Sequence, residues 1–448
     1  MTDGLGGSGF TAEYQAFTRQ VARGTPSWLD TIRQCAFQRF QALGFPTRKN
    51  EDWHFTSVSS IAEAAYPTRV APGGDVKLQD LSPFTFGATD WPTIVFVNGV
   101  FAPALSSLDA LPDGVKVYDL KSAVRSNDPV VEKYLSKYAE YELSAFTALN
   151  TAFLSDGAVV RIAKEFEVER PVHVLFVSDA LAAKTQSNPR TLIVAERHSK
   201  ATVIESYVAL GEASYFTNAV TEVLLEDGAN LSHLKIQRES PRAFHVGTIE
   251  AEQQRDSHYQ SFSFATGAEL SRTNIYTTLD GEGAGATLNG LYMLDGEQHC
   301  DHQTKIEHAQ PNCFSRELYK GVLDDASHGV FNGKVFVDPI AQKTDGKQTN
   351  NVLLLSERAQ VDTKPQLEIF ADDVKCTHGA TVGRIDETAL FYMKSRGINN
   401  ELARRLLTYA FAAEVLETIE IEAVRERLER ATLERFTGVP TLTVEWKK

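Results

Sequence analysis

Between residues 156 and 388, about half of the 448-residue chain, short segments rich in Val, Ile, Thr and aromatic residues follow one another without any helical periodicity between them. Residues 158–162, 172–177, 191–195 and 201–208 are examples, and such residues suit a pleated, half-buried surface. Turn-forming pairs separate them, among them Asp156-Gly157, Asp227-Gly228, Asp295-Gly296, Asn332-Gly333 and Asp345-Gly346. A doubly wound sheet would interleave helices here, so the pattern argues against that class. A sandwich, a barrel or a β-solenoid remains. No fixed repeat period is visible, yet so long a succession of short strands favours a solenoid whose coils have diverged.

Helical text is confined mainly to the two ends. Residues 27–43, SWLDTIRQCAFQRFQAL, set Trp28, Ile32, Cys35, Ala36 and Phe40 at helical spacing behind Ser27 as candidate cap, and Gly44-Phe45-Pro46 stops the run. Residues 93–97, TIVFV, followed by Asn98-Gly99 predict a strand entering a turn, and 130–150 turn helical again. Over 400–434 the residues Leu402, Leu406, Ala410, Ala413 and Leu416 recur three or four apart, with Arg404, Arg405, Glu414 and Glu417 largely off that stripe, and Gly438-Val439-Pro440 closes the segment. Such a stripe ordinarily docks on its own domain, but a terminal one can also receive a partner. The chain divides on this reading into a mixed helical region at 1–149, a β core at 150–390 and a helical region at 391–448.

Charge narrows the function. With 45 Lys and Arg against 59 Asp and Glu the net charge is −14, and no local basic run offers the counterion-displacing patch that nucleic-acid binding draws on. No window approaches the roughly 18 apolar residues of a membrane-spanning helix, and the first residues lack a basic segment followed by an apolar one. Neither membrane insertion nor secretion is expected. Cys35, Cys300, Cys313 and Cys376 are too scattered for a disulfide framework, so a reducing cytoplasm is the expected compartment.

Three motifs invite chemistry. DGEGAGA, with Gly281, Gly283 and Ala286, has dinucleotide-loop spacing but is followed by strand-like TLNGLYML, so it reads as a glycine-rich turn. Gly333-Lys334 and Gly346-Lys347 lack the rest of a phosphate loop, and ATP hydrolysis by this chain alone is not expected. QHCDHQTKIEHAQPNC gathers His299, Cys300, Asp301, His302, His308 and Cys313. In an extended strand His299 and Asp301 point one way, Cys300 and His302 the other, so these ligands diverge and a zinc site is disfavoured. Cys376 and His378 are two apart in extended text and share one face, a geometry suited to a thiophilic metal or a sulfur species. By pattern alone such a pair is more often incidental.

Six longer blocks carry a resemblance: GFPTRKNEDWHFTS at 44–57, ALNTAFLSDGAVVRI at 148–162, SRELYKGVLDDASHGVFNGKVFV at 315–337, AQKTDGKQTNNVLLLSERA at 341–359, PQLEIFADDVKCTHGATVGRID at 365–386 and LFYMKSRGI at 390–398. They resemble the SufB/SufD family of iron-sulfur cluster assembly proteins over nearly the whole chain, and the first and fifth blocks look like its SufD branch. The resemblance implies a mainly β fold, a right-handed parallel β-helix flanked by N-terminal and C-terminal α-helical regions. It implies a non-catalytic scaffold that pairs with a SufB-like paralogue through the β-helix and docks a SufC-like ATPase through its C-terminal helices. His378, and Cys376 beside it, match residues at the paralogue interface, where iron or a nascent cluster would be held transiently and shared with SufB. The chain alone offers one well-placed cysteine where a cluster usually takes about four thiolate-like ligands, so no cluster is expected to be stably bound by it. Leu402, Leu406, Tyr409, Ala410 and Phe411 are the candidate ATPase-docking residues.

Two readings stand beside this one. A SufB-type scaffold would bind sulfur and cluster directly. A solenoid enzyme acting on acidic polysaccharide would need a groove for a polyanion, which the negative charge disfavours.

Overall fold

The computed structural model describes residues 7–437 except 22–23, 65, 69–73, 89 and 110. Two ten-stranded sheets dominate it. Successive strands alternate between the sheets: Lys200–Ala209 lies in one, Phe216–Leu225 in the other, and Asn230–Arg238 returns to the first beside Lys200–Ala209. Each circuit is one coil of a parallel β-solenoid, and Asn230, His258, Gly285, Phe314, Asp345 and Lys375 occupy one register position on successive coils. From His258 to Gly285 a coil takes 27 residues and from Phe314 to Asp345 it takes 31. The strands are nearly constant at eight to ten residues here while the turns vary, which is why no fixed period shows in the sequence. The inward sides of both sheets enclose a lumen filled by residues such as Val203, Ile249, Tyr259, Ile275 and Tyr319.

The solenoid with helices at its ends is the architecture expected. The first region, however, also contributes strands to both sheets. Thr93–Val97 pairs in parallel with Val172–Ser178, and Val115–Asp119 pairs antiparallel with Gly157–Ile162, which closes the first end of the solenoid. Asn98 and Gly99, at φ 52° and 80°, make the predicted turn into Val100–Phe101, since a two-residue hairpin with both central residues left-handed matches the strand twist.

The helix Ser27–Leu43 has the predicted bounds but buries a face rotated from the predicted one, made of Leu29, Arg33, Ala36, Phe37 and Phe40. Cys35 is exposed, and Ser27 makes no cap because Pro26 holds that position. Arg33 causes the rotation: its guanidinium is buried and donates to the Leu154 carbonyl at 2.6 and 2.9 Å, so a charged residue occupies the inner face. Residues 130–150 hold two short helices, Pro129–Tyr134 and Ala145–Ala152, capped by Asp128 and Ser144. Between them the backbone N–H groups of residues 136–139 donate to Glu222, which also pairs with Arg190 at 2.7 Å, both side chains fully buried.

Beyond the last strand Asp386 caps the helix Glu387–Ser395, so Thr388 is helical and the β text ends at Gly383. The helix Asn400–Leu416 crosses the outer face of one sheet, setting Ala412, Val415 and Leu416 against Leu234, Phe262 and Leu291. Glu422–Thr437 follows, and the predicted stop at Gly438-Val439-Pro440 lies outside the described residues. No helix among the described residues is long and apolar enough to cross a membrane. The Asn399 side chain accepts from the Leu402 N–H at 2.8 Å, and Asn399→Ala should cost that helix about 1 kcal/mol. Hydrogen exchange at the first-turn amides should accelerate accordingly, while the solenoid amides stay unchanged.

Candidate functional site

The last coil is built from Gln360–Ile369 and Lys375–Gly383, and among the described residues each strand ends its sheet, paired on one side only. A free edge of parallel sheet presents a row of unpaired N–H and C=O groups that another strand can extend. Ile340, Phe370 and Val382 add exposed apolar surface at this end of the molecule, with Phe370 59% exposed. Cys376 and His378 both lie on the edge strand and, two residues apart, on one side of it, as expected. Their register partners one coil in are Gly346 and Gln348. The Cys376 thiol is half-buried, packed in the cluster that holds Val335, Val337 and Leu367. Burial raises its pKa, with Asp345 adding to the rise and the Gly346 backbone opposing it. His378 is exposed at the open end of the lumen. On that shared side the imidazole is exposed and free to meet ligands from a second chain, whereas the thiol is packed against its own chain.

The histidine-rich segment is structural, and its side chains diverge as the strand period requires. Thr56 bonds His299 at 2.8 Å and Asp301 at 2.6 Å on the outer face, and Arg272 joins Asp301 at 2.6 Å. Arg272 also lies 3.7 Å from the Trp53 ring centroid, so the block at 44–57 is clamped onto the solenoid wall. On the lumen side His302 meets Ser263 at 3.1 Å and His308 meets Ser315 at 2.9 Å. Burial lowers these imidazoles to about 3 and about 4, which keeps both neutral, and raises the Cys300 thiol to about 12. Among the described residues no three His, Cys, Asp or Glu side chains converge to hold a metal. Gly281 and Gly283 form the turn before the strand Gly285–Leu294, with no helix after it, and Gly333-Lys334 and Gly346-Lys347 lie inside strands.

A second surface lies on the C-terminal helices. Leu402 and Leu406 are 42% and 38% exposed, Ala410 is exposed, and Tyr409 and Ala413 are half-buried beside them. Phe411 instead sits in the seam to the solenoid, with the Lys320 ammonium 4.3 Å from its ring centroid and donating to its carbonyl at 2.9 Å. Lys320 also pairs with Glu414, fastening this helix to the strand Phe314–Leu323. Sequence periodicity missed Phe391 and Tyr392, 72% and 58% exposed on the adjacent helix Glu387–Ser395. The Asp386 cap three residues before the helix's apolar run was the available signal.

The family sequence model described as SUF system FeS cluster assembly, SufBD core domain, matches residues 176–411, and that of the SufBD protein N-terminal region matches 8–174. A SufBD family iron-sulfur cluster assembly protein of Synechocystis is 33% identical over 426 residues, 93% of each chain. The iron-sulfur cluster assembly protein SufD of Escherichia coli is 32% identical over 404 residues, 90% of this chain and 92% of its own. SufD of Bacillus subtilis is 30% identical over 415 residues, 90% and 93% of the two. With both family regions matched in order and relatives of this identity aligned along nearly their whole length, the chain belongs to the SufBD family of iron-sulfur cluster assembly proteins.

Proposed function

We propose that the chain is a SufD-type scaffold subunit that completes its assembly site only on joining a SufB-like paralogue. The observation that carries this is the open end of the solenoid. Among the described residues two sheet edges end there with unpaired backbone groups, and His378 stands exposed on one of them. A paralogue with the same coil spacing can continue both sheets and bring thiolates opposite the imidazole. Neutral imidazole and thiolate both bind ferrous iron, so iron and sulfide as cargo would be held between two chains.

Energy for rearranging that interface comes, in this reading, from a SufC-like ATPase seated on Leu402, Leu406, Phe391 and Tyr392, and the subunit catalyses no reaction itself. The complex works in the cytoplasm, without nucleic acid or membrane as partner. The isolated chain should therefore keep no cluster. After anaerobic incubation with iron and sulfide and then desalting, it should be nearly colourless, whereas the complex with paralogue and ATPase should retain both. Stoichiometric iron and sulfide on the lone chain would refute the shared site.

A further inference from the structure

Beneath the edge strand the lumen holds polar atoms that the chain satisfies only in part. The hydroxyls of Tyr292, Thr304 and Tyr319, one carboxyl oxygen of Glu317 and the side-chain oxygens of Gln348 and Asn350 are buried without a hydrogen bond of good geometry. All lie on inward-facing positions of the three coils before the last strand. Gln348 stacks on Glu317, Asn350 stacks on Tyr319, and Thr304 faces them from the opposite sheet. A buried polar group left unpaired costs about 1–3 kcal/mol, and native proteins relieve this through ordered water where several such groups line one space. Tyr292 and Asn350 lie against each other, as do Glu317 and Thr304, while the Tyr319 hydroxyl and the Gln348 side-chain oxygen are left without a partner between them.

The register shows where this polar strip leads. The next residue stacked after Glu317 and Gln348 is His378, and the next after Tyr319 and Asn350 is Ala380, both on the exposed edge strand. Two coil spacings, about 10 Å, separate the Glu317 and His378 backbones. Glu317 accepts from the Gln348 amide at 2.6 Å through one oxygen, and the Thr304 hydroxyl of the opposite sheet faces the carboxyl. Gly333 makes this arrangement possible, because a Cβ there would come within 2.2 Å of the Gln348 amide nitrogen. Around the carboxyl stand Leu288 on the preceding coil, Gln348 on the next, Thr304 opposite and Tyr319 on its own strand. Burial pushes the carboxyl up to about 7, against the nearby Thr304 hydroxyl and Gln348 amide. The Tyr319 phenol is itself raised by burial and then by Glu317, so it stays protonated.

We propose that the lumen of these coils holds a chain of water molecules running from Glu317 to the open end beside His378, and that Glu317 is the group exchanging protons with the assembly site. The second half rests on the reading of His378 given above. A thiol or imidazolium that loads iron must first release its proton. The Glu317 carboxylate accepts that proton through the water chain, becomes the neutral acid, and returns the proton along the same path to solvent. Glu317→Gln preserves the bond from Gln348 and removes the proton acceptor, which makes it the informative variant.

Infrared difference spectroscopy on the full chain tests the first half without any cluster. A protonated-carboxyl C=O band should be present below neutral pH, fade as the pH passes about 7, be missing in Glu317→Gln, and shift promptly on transfer to D2O. No such band, or one that keeps its proton in D2O until the chain unfolds, means a dry lumen and overturns the water chain. In the complex with a SufB-like paralogue and ATPase, Glu317→Gln should slow cluster formation about tenfold or more and flatten its pH profile. A rate and profile equal to wild type, with the infrared band present, overturns the proton-exchange role. Full cluster formation by His378→Ala would instead remove the site reading and leave the infrared result standing.

Discussion

Replacing His378 by alanine is expected to lower the iron and sulfide held by the purified complex by at least on the order of tenfold, at unchanged yield of the complex. His378 is exposed on a strand whose outer edge has no partner among the described residues, so its truncation removes a potential ligand without opening a cavity in this chain. Pairing of the edges relies on backbone groups that the substitution leaves in place. Cys376→Ala should be milder. Its thiol is half-buried toward Val335 and Leu367, and its raised pKa disfavours the thiolate that binds iron. Iron and sulfide analysis of the two variant complexes, set against their yield, separates the residues. Wild-type content with His378→Ala would reduce this histidine to a bystander.

Leu406→Asp is expected to abolish capture of the ATPase while leaving the solenoid folded. A charge forced into a desolvated apolar contact costs about 3 kcal/mol, which is over 100-fold in affinity and enough to lose a micromolar complex. Leu406 is 38% exposed and lies outside the helix's buried set of Ala403, Thr408, Ala412, Val415 and Leu416, so the substitution should not unfold the helix. Phe411→Asp is the contrast. Phe411 packs against Lys320 in the seam, and this change should lower thermal stability before it says anything about docking. If Leu406→Asp and Leu402→Asp both bind the ATPase as wild type does, this face is not the docking surface.

The β character of the middle of the chain, the ends of its longest N-terminal helix and the divergence of His299, Cys300, Asp301 and His302 were all legible, because each follows from a short-range period. Coil-to-coil register was not, since turns of variable length erase the repeat while the strands keep their partners. The rotated face of the Ser27–Leu43 helix was equally hidden, because its inner side includes an arginine whose carbonyl partner, Leu154, lies more than a hundred residues away. The pairing of Cys376 with His378 on one side of a strand was readable. That the thiol would pack against its own chain, with Glu317 and Gln348 lined up behind His378, depends on contacts between coils that no local pattern carries. Phe411 shows the same limit: it sits beside the stripe in sequence, yet Lys320 of the solenoid draws it into the seam.

Site-directed photocrosslinking from the edge strand tests whether the open sheet edge meets the paralogue. A photoreactive residue at Thr377, exposed between Cys376 and His378, would be introduced into the chain and irradiated in the assembled complex. A crosslink to the terminal strands of the SufB-like paralogue is expected, lost when that subunit is omitted. A crosslink only to the ATPase or to a second copy of this chain, or none while the complex is intact, would contradict the open sheet edge as the place where the assembly site is completed.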